Sequence, residues 1–404
     1  MERKRHIFII ATLVSTLGQF AADLYLPSLY VLSQDLHASY SLAQLTITTY
    51  MAGFAISQIV YGPASDAFGR RSPLLIGLFL SVLGSIACLC AYNINMLILG
   101  RLLQGIGMGS AGALYRPILS DLFQGEKLVK YASIAALIGI WFLAIGPVFG
   151  GYIQHYTDWR VIFGLLTLLS LMAFFSVLVY IPETNLNIDK HNINIVQIKN
   201  NVVSLFTNKS FVGYNFCSMF AYAAIAAWLT SGSILLQKTM GLNSIEFGWG
   251  YFFTGLTFIL GSIINIKYSY KCGIDKMIQV GLVTIFLASI IMLALNYLGY
   301  MNAFSVVGPV MIVFFGTPLI FANSFAGAIK SFTKISGLAS AIFSASRMLG
   351  GALGSWIIAF ANVDNQIPMA LAFLVCAIMG WFGHSLVLQH NEPSLIKVDL
   401  TPDQ

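Results

Sequence analysis

Charge is scarce in this chain. Of its 404 residues, 9% are Asp, Glu, Lys or Arg, against about 25% in ordinary soluble domains. So few charges cannot clothe a water-soluble surface of this size, and 58% of the residues are hydrophobic with a mean hydropathy of +0.81. A soluble enzyme, a nucleic-acid binder and a disordered chain are excluded as readings of the whole sequence. No lysine follows a glycine anywhere, so a phosphate-binding P-loop is absent and ATP is not the energy source. The six histidines are scattered at His6, His37, His155, His191, His384 and His390, without metal-ligand spacing. Five cysteines, four of them in apolar runs, suggest neither a disulfide framework nor a metal site. No cofactor is expected.

What the chain has instead is long apolar runs, which in a membrane demand helices, since β-barrel strands alternate polar and apolar residues. Twelve stretches reach the roughly 20 residues a spanning helix needs, near 6–30, 41–62, 72–92, 95–118, 131–154, 160–181, 210–236, 246–268, 274–296, 302–326, 335–361 and 367–389. The expected fold is an all-α membrane protein of twelve transmembrane helices in two pseudo-symmetric six-helix bundles. A polar gap at about 182–209 separates the halves, giving an N-terminal bundle over 1–184, a central loop over 185–208, and a C-terminal bundle with a short tail over 209–404. The start, Arg3, Lys4 and Arg5 before an apolar run, reads as an uncleaved first span rather than a signal peptide.

Basic residues orient the chain. With the N-terminus inside, inner loops and ends hold sixteen of the 21 Lys and Arg, including Arg70, Arg71, Lys190, Lys334 and Lys397, and outer loops hold Arg160 and Lys238. Positive loops stay cytoplasmic, so both termini and the central loop are expected inside. The remaining three, Arg101, Arg116 and Arg347, fall within spans, as does Asp23. Charge in a membrane is expensive and marks function by default. At about 1.5 Å per residue, Asp23 and Arg101 come out at matching depths in the outer third. They are expected to lie close, directly or through water, and to form the proton-coupling pair. Arg116 comes out near the inner boundary. Arg347 comes out near mid-membrane with no acidic residue of the second half beside it, which suits an anionic group of a substrate.

Several local patterns carry more. Gly62-Pro63-Ala64-Ser65-Asp66-Ala67-Phe68-Gly69-Arg70-Arg71 is a tight inner hairpin. With twelve spans and a central loop, it resembles the signature loop of the major facilitator superfamily, departing at Ala67, where a basic residue is usual. Arg101-Leu102-Leu103-Gln104-Gly105-Ile106-Gly107 is similar to that family's fourth-helix arginine motif, which the resemblance links to proton transfer. Gly146-Pro147-Val148-Phe149-Gly150-Gly151 allows close helix packing and resembles the antiporter motif of proton-coupled drug exporters.

The finer resemblance is to the Bcr/CflA drug-resistance branch. It rests on Asp23-Leu24-Tyr25-Leu26-Pro27-Ser28, Tyr115-Arg116-Pro117-Ile118-Leu119-Ser120-Asp121, Trp159-Arg160 with Phe163, Pro182-Glu183-Thr184, Gly337-Leu338-Ala339-Ser340-Ala341 and Leu349-Gly350-Gly351-Ala352-Leu353-Gly354-Ser355. The chain departs at Ala22, where a hydroxyl is usual, at Ser120, where Arg is usual, and at Arg347, where a neutral polar residue is common. The resemblance implies a proton-coupled antiporter of the bacterial inner membrane, exporting amphiphilic drugs or related small molecules by alternating access and conferring antibiotic resistance. Its partners would be small molecule, proton and lipid bilayer, with no nucleic acid and a monomer as the working unit.

Within that reading, Gly62, Asp66, Gly69, Arg70, Arg71, Arg116 and Asp121 form a conformational switch. Arg347, Tyr25, Tyr50, Phe54, Trp141, Asn215, Tyr222 and Trp228 are the substrate-binding candidates. Arg347 also supports an alternative, a dedicated transporter of an endogenous anionic metabolite such as a carboxylate siderophore. A membrane-embedded enzyme finds no nucleophile–base pair to support it.

Overall fold

The computed structural model describes residues 2–185, 195–332, 335–361 and 364–391. Among these every regular element is a helix. The first half comprises α1 (Glu2–Asp23), α2 (Leu29–Asp35), α3 (Tyr40–Phe68), α4 (Arg71–Leu89), α5 (Ile94–Leu122), α6 (Gly125–Tyr156) and α7 (Trp159–Tyr180). The second comprises α8 (Ile195–Thr207), α9 (Lys209–Ile234), α10 (Ser244–Cys272), α11 (Ile274–Tyr297), α12 (Ala303–Lys330), α13 (Ser336–Ala359) and α14 (Ile367–Asn391).

Eleven segments among the described residues are long and apolar enough to cross a membrane. The twelfth expected span is α3, which has the length, 29 residues, but not the hydropathy. The reason lies in its surroundings. Gln44, Thr46, Thr48, Ser57 and Gln58 are buried against neighbouring helices, which lowers the mean hydropathy of α3, while Ile56, Ile59 and Val60 remain exposed.

The first span corrects the expectation of one helix over 6–30. Helix α1 ends at Asp23, a single 3-10 turn follows at Leu26–Ser28, and α2 continues to Asp35. Pro27 causes the break: it has no N–H to donate to the carbonyl four residues earlier, that of Asp23. The central gap also differs from a plain loop, since α8 occupies 195–207, with Leu205 buried. Of the residues placed in that gap, 186–194 lie outside the described residues, as do the inner-loop Lys334 and Lys397.

Helix pairing repeats between the halves. Helix α3 packs on α5, α4 on α5 and α7, and α1 on α5, α6 and α7; likewise α10 packs on α12, α11 on α12 and α14, and α9 on α12, α13 and α14. Among the described residues the halves meet chiefly where α3 packs on α13 and α6 on α10.

One end of this bundle is shut. Gln44 donates to the Thr230 carbonyl at 3.0 Å, Thr48 to Ser355 at 2.9 Å, and Gln237 and Ser244 to the Pro27 carbonyl at 2.8 and 3.4 Å. The Thr230 and Ser355 hydroxyls share a further bond of 2.7 Å. Among the described residues, these bonds between halves all lie toward the Tyr40 end of α3. There Gly151 of α6 meets the Ser244 carbonyl and Gly248 of α10 meets the Pro147 carbonyl, with no room for a side chain. Toward the Arg70 end the same two helices expose Ile134, Leu137, Trp141, Leu260, Ile263 and Ile266.

Gly151→Leu is therefore expected to hold the Tyr40 end open. A maleimide should then label a cysteine placed at Gln44, which is buried here, at least about tenfold faster in the variant than in its parent.

Candidate functional site: a buried charge centre above an arginine-lined gap

Asp23 and Arg101 are both fully buried where α1, α3, α4 and α5 meet. Arg101 lies between two tyrosine rings, its guanidinium carbon 4.2 Å from the centre of Tyr25 and 4.0 Å from that of Tyr50. Such stacking is a favourable way to hold a cation away from water. One terminal nitrogen donates to the Ala21 carbonyl at 3.0 Å and to Gln104 at 2.5 Å. Gln104 in turn donates to Ser85 at 2.8 Å. The Arg101 Nε and second terminal nitrogen have no partner.

Asp23 makes no ion pair with Arg101. One carboxylate oxygen accepts from Gln19 at 3.1 Å, and the other is buried without a partner. Arg101 nonetheless acts electrostatically on Asp23, and the carbonyl it binds belongs to Ala21, two residues away. The arrangement is an acid and a base held apart, each with spare hydrogen-bonding capacity, at a break in a membrane helix.

Tyr25 and Tyr50 thus serve the arginine. Their hydroxyls are also engaged, Tyr25 with Thr46 at 3.1 Å and Tyr50 with the Gly18 carbonyl at 2.5 Å. Just below lies a small cavity between the halves, lined by Gly18, Gln19, Ala22, Tyr50, Met51, Phe54, Tyr222 and Met348. Its free volume of about 10 Å³ has room for roughly one water molecule. A substrate would have to displace Tyr222 or Met348, or sit closer to the Arg70 end.

The other binding candidates separate. Trp228 is fully buried among Phe247 and Tyr251 in the second half, its indole N–H unpartnered. Trp141 is half exposed and lies with Phe20, Phe142, Ile145 and Phe149 in an apolar cleft of about 200 Å³, away from the charge centre. Asn215 is buried with its carbonyl oxygen unpaired. Arg347 is half-buried, 5.2 Å from the Phe321 ring and 5.7 Å from the Tyr222 ring.

The hairpin cluster assembles at the Arg70 end. Arg70 binds Asp66 at 2.5 Å, Ser65 at 2.6 Å and Asp121 at 3.4 Å. Arg71 donates to the Leu178 carbonyl at 2.6 Å. Gly69 supplies the turn with φ +85°, a conformation that favours glycine. A β-carbon added at Gly62 would meet the Ala341 side chain at 3.8 Å, on the facing helix of the other half. Arg116 does not join this cluster. Its side chain instead reaches across to the second half, 4.3 Å from the Phe325 ring.

The residue that organises the cluster is one the sequence reading quoted without assigning it a role. The Glu183 carboxylate accepts from the backbone N–H groups of Arg70, Arg71, Thr184 and Asn185 at 2.7–3.1 Å. The available signal was its place just after the sixth span, at the same end as Arg70 and Arg71. The antiporter-motif glycines divide between two neighbours: Gly146 lies against Phe20 and Asp23, Gly150 against the Leu24 carbonyl, and Gly151 against α10. Pro147 offers its carbonyl to Gly248.

The sequence profile of the Major Facilitator Superfamily matches residues 8–355. The chain belongs to this superfamily. Among curated relatives, the "Bicyclomycin resistance protein homolog" of Haemophilus influenzae is 27% identical over 96% of this chain and 98% of its own length. The "Multidrug resistance protein D" of Escherichia coli is 25% identical over 94% of this chain and 95% of its own. Among solved structures, the xylose transporter XylE of E. coli, in a partially occluded inward-open conformation, superposes with a TM-score of 0.74 at 14% identity, covering 96% of this chain and 98% of that one. A peptide transporter in complex with sulfate gives 0.77 at 14% identity, covering 95% and 94%. Membership makes this major facilitator protein a membrane transporter and not an enzyme, and the two-bundle helical fold is that of the superfamily.

In this transporter Glu183→Ala removes the acceptor for four backbone donors. It is expected to lower thermal stability by about 2 kcal/mol, with Glu183→Gln losing less. Melting of the detergent-solubilised protein measures both.

Proposed function

We propose that this chain is a proton-coupled antiporter that exports amphiphilic drugs or related small molecules by alternating access. It would reside in the bacterial inner membrane as a monomer with both termini in the cytoplasm. In that orientation the shut Tyr40 end faces outward and the Arg70 end inward, toward the cytoplasmic substrate. Residues 1–184 and 209–404 would be the two rocking units, linked by the segment between them.

The observation that carries the reading is the Asp23 carboxylate. It is fully buried, has one unpartnered oxygen, and is bonded by Gln19, which lines the cavity between the halves. An ionisable group so placed is a natural proton carrier. Arg101, stacked and fixed, is the neighbouring positive charge that favours its ionised state when the proton leaves. The Gly146–Gly151 segment, which packs against the turn that carries Asp23, ties the carrier to closure of the Tyr40 end. The drug-resistance names of full-length relatives support the substrate class.

Inside-out vesicles containing the chain and an acidic lumen should release protons and acidify their medium when chloramphenicol or ethidium is added, by exchange of proton for drug. Asp23→Asn is expected to abolish the exchange while leaving ethidium binding within about threefold of the parent. Undiminished exchange in Asp23→Asn would remove the proton-carrier role.

A further inference from the structure

Two uncompensated cations face each other across the gap between the halves. Arg116 comes from α5 of the first half and Arg347 from α13 of the second, and they repel one another electrostatically. Neither makes an ion pair or a hydrogen bond with any described residue, and the Arg347 Nε is buried without a partner. By contrast Arg101 is bonded, and Arg70, Arg71 and Arg160 all have acceptors.

Each guanidinium carries five donors in a planar fork suited to carboxylate or phosphate. Aromatic faces complete the surroundings: Phe325 beside Arg116, and Phe321 and Tyr222 beside Arg347. Phe321 and Phe325 lie one turn apart on α12, and Tyr222 is 6.1 Å from Phe321. Arg116 is exposed and Arg347 half-buried, so both are reachable from the gap.

An unpaired cation within a span, as Arg347 is, is costly unless something of opposite charge meets it, and Arg116 at the inner end adds a second. We propose that Arg116 and Arg347 form an anion-binding site, and that the substrates include aromatic or amphiphilic molecules bearing one or two acidic groups. This names the substrate class of the transporter proposed above and rests on that reading for the direction of transport.

The pair also supplies a coupling rule. Empty, the two like charges resist approach of α5 and α13, and so keep the Arg70 end open. An anion between them replaces repulsion by two attractions and lets that end close around its cargo. After release on the other side, renewed repulsion favours reopening at the Arg70 end. Substrate is then required for outward passage, and the return is left to the proton on Asp23.

Two xanthene dyes test the site, because they share a ring system and differ in charge. Fluorescein is a dianion at mildly alkaline pH, and rhodamine 123 is a cation. Binding of each to the full-length protein in detergent is read by fluorescence polarisation, with melting as the check on folding. Fluorescein is expected to bind the parent. Arg347→Gln and Arg116→Gln should each weaken it at least about tenfold, Arg347→Lys should weaken it less, and rhodamine 123 binding should hold or improve. Failure of fluorescein to bind the parent would overturn the proposal. So would fluorescein binding unchanged in both Gln variants, or an equal loss for both dyes. Proton exchange plays no part in this measurement, so its failure and that of the Asp23 assignment are distinguishable.

Discussion

A charge inside a bilayer has no water to fall back on, and the rest of this structure is arranged around that constraint. Asp23, Arg101, Arg116 and Arg347 all sit within spans, and they are satisfied to different degrees. Arg101 is paired with carbonyl, amide and two aromatic faces, so it stays charged and still. Asp23 is half satisfied. Arg116 and Arg347 are left to the gap. The gradient from satisfied to unsatisfied runs from the closed end toward the open one, and it separates framework from working parts.

Helix packing serves the same ordering. Small residues bring backbones close where nothing should move: between α4 and α5, Gly84 meets the Gln104 backbone and Gly107 the Ser81 backbone, leaving no space for a side chain. At the Arg70 end Glu183 fixes the α3–α4 turn to the end of α7. These bonds join elements of one half. The bonds that must break during transport are the fewer ones between halves, made largely by neutral hydroxyls, amides and carbonyls, whose net strength is modest.

The fold was largely legible because its cause, twenty-residue apolar runs bounded by basic loops, is local in sequence. The twelfth span is instructive: α3 has the length of a span, and its polar face answers to helices of both halves. The site was legible in part. Intramembrane charge flagged Asp23, Arg101 and Arg347 without any structure. Aromatic residues gave no such signal, since a ring suits lipid, core and ligand equally. Hence Tyr25 and Tyr50 proved to bracket an arginine, Trp228 to fill a core and Trp141 to line a separate cleft. The resemblance places Arg116 with the hairpin switch, yet its side chain reaches Phe325 of the other half instead.

The break in the first span has a mechanical meaning. Pro27 interrupts the helix four residues after Asp23, and its own carbonyl is the anchor that Gln237 and Ser244 hold from the opposite half. The latch and the acid therefore share one short, non-helical hinge. Parting the halves at that end lets go of the very turn that orients the carboxylate. A gate and a titrating group connected by four residues need no relay of side chains between them; the polypeptide itself is the lever.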